Sequence, residues 1–261
     1  MPSEPPLLSL KNVTVCRGPN RALDSLTLEI PQREHVAVIG PNGCGKSTLV
    51  KTIAREVHPL WSEDSSVEIL GRRNYNIFEL RPLLGIVSDD LVRRSRRRVS
   101  GRDAVLSGFF STLELWPHTP VTTEMTRKAD AILELLEIPH LAERPVAEMS
   151  SGESRRVLIG RALAHDPRTL ILDEPTNSLD MHAVHELRSV LSKLATSGVG
   201  IVLVTHNLPD VIPEIERVIL MRDGSVFADG PKREILSAER LSALFRIDVE
   251  LVEREGLYQI W

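Results

Sequence analysis

Among nine consecutive residues, Gly40, Pro41, Asn42, Gly43, Cys44, Gly45, Lys46, Ser47 and Thr48, the first eight fit the pattern G-x-x-x-x-G-K-[ST]. The chemistry this order serves is phosphate binding. Gly40, Gly43 and Gly45 let the backbone bend and approach phosphate oxygens closely. Successive N–H groups then point inward as an anion nest, and a helix opening at Lys46 adds its positive N-terminal end. Lys46 neutralises the β- and γ-phosphates of a nucleotide such as ATP, and Ser47 offers a hydroxyl to Mg2+. A chance glycine turn would lack the apolar strand before the loop and the helical period after it.

A second chemical feature is the pair Asp173-Glu174, which closes the apolar run Leu170-Ile171-Leu172. Ligands in parallel α/β sheets gather at the carboxyl ends of strands. Asp173 is thus placed to hold Mg2+, and Glu174 to orient or deprotonate an attacking water. By itself such a pair reads equally well as an acidic turn; beside a phosphate loop that reading loses ground.

The elements that position these groups follow from hydrophobic period. Residues 7–15 and 22–30 alternate apolar and polar positions around the turn residues Gly18, Pro19 and Asn20, as a hairpin does. His35–Ile39, Thr169–Leu172 and Ile201–Val204 are continuous apolar runs suited to strands buried on both faces. Leu49, Val50, Ile53, Ala54 and Val57 share a helical face that Pro59 should end. A second face joins Met125, Ala129, Ile132, Leu133 and Leu136 and stops before Pro139. A third joins Ala183, Val184, Leu187, Val190, Leu191 and Leu194 and closes at Gly198. Residues 217–261 add short strands around Asp223-Gly224 and a helix near 232–245. Strands alternating with amphipathic helices indicate an α/β fold with a mainly parallel sheet and a helix-rich insertion between about residues 88 and 165.

Composition bounds the partners. The chain has 261 residues, 42% apolar and 26% charged, with 32 Lys and Arg against 36 Asp and Glu and a net charge of −4. Bulk attraction to nucleic acid or an anionic membrane is absent. The local cluster Arg93, Arg94, Arg96, Arg97, Arg98 and Arg102 reads first as a solvated loop or a protein contact, and second as a nucleic-acid patch. Cys16 and Cys44 form no disulfide framework, and a reducing cytoplasm fits them. The start of the sequence does not read as a signal peptide, and no apolar run approaches the ~18–20 residues that span a bilayer. A membrane role would come through a partner chain. Cys44 lies inside the phosphate loop, so its alkylation is expected to block ATP binding.

Three further segments give the chain a family resemblance. Met149-Ser150-Ser151-Gly152-Glu153 resembles the signature of ABC ATPases, Asn177-Ser178-Leu179-Asp180 resembles their D-loop, and Thr205-His206 resembles their switch histidine. The resemblance covers essentially the whole chain. Within the family, Leu106–Phe110 and Thr205–Glu216 resemble small proteins related to molybdenum-transport ATPases. The family architecture implied is a P-loop NTPase core with a mainly parallel sheet, an N-terminal antiparallel β subdomain and an inserted α-helical subdomain. Residues 1–87 and 166–230 would form the nucleotide-binding core, 88–165 the helical signature subdomain, and 231–261 a C-terminal helix and strands.

The resemblance also implies roles. Ser150, Ser151, Gly152 and Glu153 would contact ATP held by a second copy, so that two chains close head to tail as a homodimer, with Ser178, Leu179 and Asp180 in the D-loop. His206 would contact the γ-phosphate. The chain departs from the family twice. Arg17 stands where an aromatic residue usually stacks on adenine; a guanidinium also stacks on a flat base, and a solvated hairpin arginine is the equal alternative. Asp89 replaces a glutamine and is expected to reach Mg2+ through water. The activity implied is ATP hydrolysis, in a cytoplasmic subunit coupled to an integral membrane permease. A soluble ABC ATPase serving regulation, repair or translation is the alternative. A small-molecule kinase would leave the signature and D-loop without a role.

Overall fold

The structure, a computed structural model, describes residues 4–80, 82–88, 99–116 and 118–261. In chain order its elements are β1 (Leu8–Arg17), β2 (Asn20–Ile30), β3 (His35–Ile39), α1 (Lys46–Ile53), β4 (Ser66–Ile69), α2 (Ile77–Leu80), β5 (Leu84–Val87), α3 (Gly101–Leu106), α4 (Thr123–Leu135), α5 (Ser151–Leu163), β6 (Thr169–Asp173), α6 (Met181–Thr196), β7 (Gly200–Thr205), β8 (Arg217–Arg222), β9 (Ser225–Pro231), α7 (Lys232–Ile235), α8 (Ala238–Phe245), β10 (Leu251–Arg254) and β11 (Leu257–Ile260). They fall into two compact units, Met1–Ile77 with Gly200–Trp261, and Phe78–Val199. Among the described residues, no helix is long and apolar enough to cross a membrane.

The first unit holds the antiparallel sheet β2-β1-β4 and a group of strands centred on β3. β3 pairs in parallel with β7 on one side and β8 on the other, and β9 returns antiparallel on β8. Val36, Ala37, Val38 and Ile39 have no exposed surface, which is why β3 reads as an unbroken apolar run. Arg217, at the start of β8, ties this unit together. Its guanidinium donates to both carboxylate oxygens of Asp229 at 2.8 and 2.7 Å, to Glu34 at 2.9 Å and to the Glu29 carbonyl at 3.0 Å. Hydrogen bonds to Asp229 and the charge of Glu34 raise its pKa against the opposing effect of burial.

The second unit holds the parallel pair β5-β6 and the helices α3 to α6. All five residues of β6 are buried. The buried stripe of α4, Ala129, Ile132 and Leu133, continues into Leu136 beyond its last turn. Leu187, Val190, Leu191 and Leu194 are the buried face of α6.

Two helix ends differ from the sequence reading. α1 stops at Ile53, well short of Pro59. Arg55 has a positive φ of 58°, and its guanidinium donates to the carbonyls of Val67 at 2.9 Å and Arg73 at 2.8 Å, which turns the chain early. The single helix expected near 232–245 is two, α7 and α8, because the Ser237 hydroxyl caps a new start by accepting from the Arg240 N–H.

Replacing Arg217 with Met should lower unfolding stability by about 1–3 kcal/mol, since two carboxylates and a carbonyl lose a charged donor. Urea unfolding should show a lower midpoint at unchanged m.

Candidate functional site

β3 delivers the phosphate loop, and close backbone contacts hold it. A Cβ on Gly40 would lie 2.3 Å from the Met221 carbonyl oxygen of β8. Gly45 has φ 109°, and a Cβ there would lie 2.3 Å from the Ala22 carbonyl oxygen of β2. No side chain fits either place, and the second also has a backbone conformation that L-residues rarely adopt. Gly45 is the N-cap of α1, so no capping side chain competes for the N–H groups of its first turn. Asn42, Gly43 and Ser47 are exposed along the loop, while Cys44, Lys46 and Thr48 are buried.

Lys46 folds back across the loop that precedes it. Its ammonium donates to the carbonyls of Gly40 at 2.7 Å and Pro41 at 3.2 Å, which fixes a positive charge at the loop. The turn between β8 and β9 braces the far side. The Gly224 N–H donates to the Cys44 carbonyl, and the Gly224 carbonyl accepts from the Asp24 N–H, both at 3.0 Å. The Asp223-Gly224 turn was legible in the sequence, but this brace is tertiary and left no local signal.

His206 follows from strand register. Ile39 pairs with Thr205 in the parallel β3-β7 ladder, so the phosphate loop and His206 leave adjacent strands at the same end. His206 is half-buried. Arg17 is exposed and sits opposite Asn20 at the β1-β2 tip, on the hairpin whose Ala22 presses on Gly45.

The second unit carries the other groups. Asp173 is buried at the end of β6. Glu174, next in the chain, has φ 52° and Ser178 has φ 64°, in the left-handed region that favours glycine. The turn is closed by Asn177 N–H to the Glu174 carbonyl at 3.2 Å and Leu179 N–H to the Thr176 carbonyl at 3.1 Å. Asp180 caps α6 by accepting from the Ala183 N–H at 2.8 Å.

The segment Ser150–Glu153 opens α5 with a capping box. The Ser150 hydroxyl accepts from the Glu153 N–H at 3.2 Å, and the Glu153 carboxylate accepts from the Ser150 N–H at 2.7 Å. Burial would raise the Glu153 pKa. The hydrogen bonds from Ser150 and the charge of Arg144 outweigh it, and the carboxyl sits below its ordinary range. Three contacts bind this helix start to the turn at Asn177 and to α6. A Cβ on Gly152 would stand 2.6 Å from the Ala183 Cβ, Arg155 donates to the Asn177 carbonyl at 3.5 Å, and Arg156 pairs with Glu186 at 3.1 Å. The sequence reading did not single out Arg155 or Arg156.

β5 and β6 run in register to Val87 and Leu172. Asp89 and Arg93, Arg94, Arg96, Arg97 and Arg98 lie outside the described residues. Arg102, the last arginine of that cluster, pairs with Asp130 at 2.6 Å and with Glu143, so it is engaged within the helical unit. The hydrogen bond with Asp130 is the chief reason its pKa is raised.

Comparison with known proteins decides the family. The ABC transporter family model matches residues 23–177. An uncharacterized ABC transporter ATP-binding protein of Bacillus subtilis, YlmA, is 31% identical over 251 residues, 94% of this chain and 93% of its own. This chain belongs to the ABC transporter family. It is an ATP-binding cassette and an ATPase. Among solved structures, cbiO1 of Clostridium perfringens, described as part of the ABC transporter complex cbiONQ, superimposes with a TM-score of 0.76 at 26% identity, covering 92% of this chain and 94% of that one. The cassette MJ0796, in a dimeric post-hydrolysis state with ADP and Pi, gives 0.69 at 26% identity, covering 86% and 98%.

The two cysteines of the cassette should differ in reactivity. Cys16 is exposed, while Cys44 is buried. Burial also pushes the Cys44 thiol pKa up, against the lowering charge of Lys46. Iodoacetamide at neutral pH should label Cys16 first, by peptide mass mapping. Cys44 should react slowly, faster at raised pH, and lose ATP binding only as it is modified.

Proposed function

We propose that the chain is the ATP-hydrolysing subunit of a transporter, working as a head-to-tail homodimer on a separate membrane permease, cytoplasmic and held at the membrane by that partner. The observation that carries this is the start of α5, a capped helix N-terminus bound to the D-loop and carried on a different unit from the phosphate loop. A single-chain kinase has no use for it. A second cassette does, because a helix N-terminus receives phosphate. Two of the solved relatives are described as dimeric or as part of a transporter complex. The helical unit also exposes Trp116, Leu83 and Val121, apolar surface of the kind a permease would cover.

In this reading residues 1–87 and 166–230 act as the nucleotide-binding core, 88–165 as the signature subdomain and 231–261 as a C-terminal extension. The loop Gly40–Thr48 binds the phosphates, with Arg17 at the adenine side. Water attacks the γ-phosphate in line; its oxygen bonds to phosphorus as the bond to ADP breaks. Glu174 orients the water and takes its proton, Lys46 offsets charge on the β- and γ-phosphates, and His206 holds the γ-phosphate. Ser150, Ser151, Gly152 and Glu153 of one copy close on the ATP of the other, with Ser178, Leu179 and Asp180 alongside. Ser47 and Asp173 are hard oxygen donors, the set that suits Mg2+, and Asp89 is assigned to the same ion through water. Bound Mg2+ supplies positive charge to the phosphate oxygens. The placing beside molybdenum-transport ATPases rests on Leu106–Phe110 and Thr205–Glu216.

Replacing Glu174 with Gln should lower kcat by about 10²–10⁴-fold while ATP still binds and a dimer accumulates by gel filtration. Full activity in that variant would overturn the assignment. Replacing Lys46 with Ala should weaken ATP binding by about 2 kcal/mol, roughly 30-fold in Kd, by calorimetry. Pull-down of the native complex should recover a multi-span membrane chain.

A further inference from the structure

Between His206 and β8 the chain runs through Asn207–Glu216 with one short 3-10 turn, Leu208–Asp210. Leu208, Val211, Ile212 and Ile215 have no exposed surface, so this irregular segment is packed into its unit. A buried irregular backbone needs donors for its carbonyls. Backbone N–H groups serve the carbonyls of Asn207, Leu208 and Ile212, and the Lys232 ammonium adds a bond to the Ile212 carbonyl at 3.3 Å and one to the Pro213 carbonyl at 2.9 Å.

A buried ammonium is a costly way to satisfy carbonyls, since the charge loses water. Lys232 is 7% exposed. Burial lowers its pKa, with Glu214 and Glu253 chief among the groups that pull it back up. The face of Tyr258 lies 5.8 Å from its Nζ, where a ring compensates a desolvated cation. Tyr258 is itself buried and belongs to β11, which packs on the Leu208–Asp210 turn. The hairpin turn at Gly256 sits against Pro213.

The other end of the segment is fixed at the histidine. The Thr205 hydroxyl donates to the buried Asp210 carboxylate at 2.5 Å and accepts from the Asn207 N–H at 3.0 Å. These two bonds bracket His206 in the chain.

We propose that Asp210 and Lys232 are positioning residues for His206, and that the C-terminal hairpin β10-β11 is the clamp that keeps Lys232 on its two carbonyls. This rests on the assignment of His206 to hydrolysis made above. The hairpin thus reaches the reaction through the backbone, without touching nucleotide.

The test uses the full-length chain. Lys232→Met and Tyr258→Ala should each lower kcat about tenfold with the KM for ATP within about twofold, and should shift the His206 imidazole NMR signals. Tyr258→Phe should restore both, because the ring face and not the hydroxyl meets the ammonium. Should Lys232→Met fail to fold, Asp210→Ala against Asp210→Asn gives the same reading from the other end: the first should lose kcat, and the second, which still accepts from Thr205, should keep it. Unchanged kcat in folded Lys232→Met and Tyr258→Ala, or Tyr258→Phe as impaired as Tyr258→Ala, overturns the proposal. His206→Ala separates the layers. If it keeps full turnover, the role of His206 falls and the positioning claim with it. If it is inactive while Lys232→Met is fully active, the positioning claim alone falls.

Discussion

The phosphate loop works only if its backbone N–H groups face inward with nothing in the way, and that constraint organises the first unit. Two neighbouring carbonyl oxygens, Met221 on one side and Ala22 on the other, stand where side chains of Gly40 and Gly45 would be. β8 and β2 are therefore walls of a mould as well as strands. The β8-β9 turn adds the Gly224 bonds to Cys44 and Asp24, and Lys46 ties the loop's own carbonyls. The loop is thus braced at Gly40, Cys44 and Gly45, while Asn42, Gly43 and Ser47 stay exposed; bracing of this kind is what electrostatic preorganisation requires.

The second unit solves a different problem with different means. The residues singled out there sit at a strand end, a turn and two helix starts; the turn after Glu174 is closed by backbone hydrogen bonds, and the helix starts are fastened by side chains. Ser150 and Glu153 close one helix start, Asp180 closes another, and Arg155, Arg156 and Gly152 bind the two together. The start of α5, the turn at Asn177 and the start of α6 thus pack against one another.

Much of this was legible in the sequence because the relevant signals are local. The buried strands announce themselves as apolar runs, and the phosphate loop and Asp173-Glu174 follow from residue order alone. The segment Ser150–Glu153 was marked by its resemblance to the signature, whereas its capping box came to light in the structure. Hidden from the sequence were contacts between distant segments. Arg55 ends α1 early by reaching carbonyls at Val67 and Arg73. Lys232 looks like a surface lysine at a helix start until Ile212, Pro213 and Tyr258 surround it. Arg102 reads as part of a basic stretch until Asp130 and Glu143 engage it. Such pairings depend on the finished fold, and no period or spacing encodes them.

The left-handed backbone at Glu174 carries an evolutionary cost. A glycine or asparagine would adopt φ 52° more comfortably than a glutamate. Glu174 shares this backbone region with Arg55 and Ser178 among others, and holding it there costs of order 1–3 kcal/mol. Drift toward greater thermal robustness would push against the carboxylate, and only a need for its chemistry would resist. With the role proposed for Glu174, selection for durability and selection for turnover would pull the same codon in opposite directions.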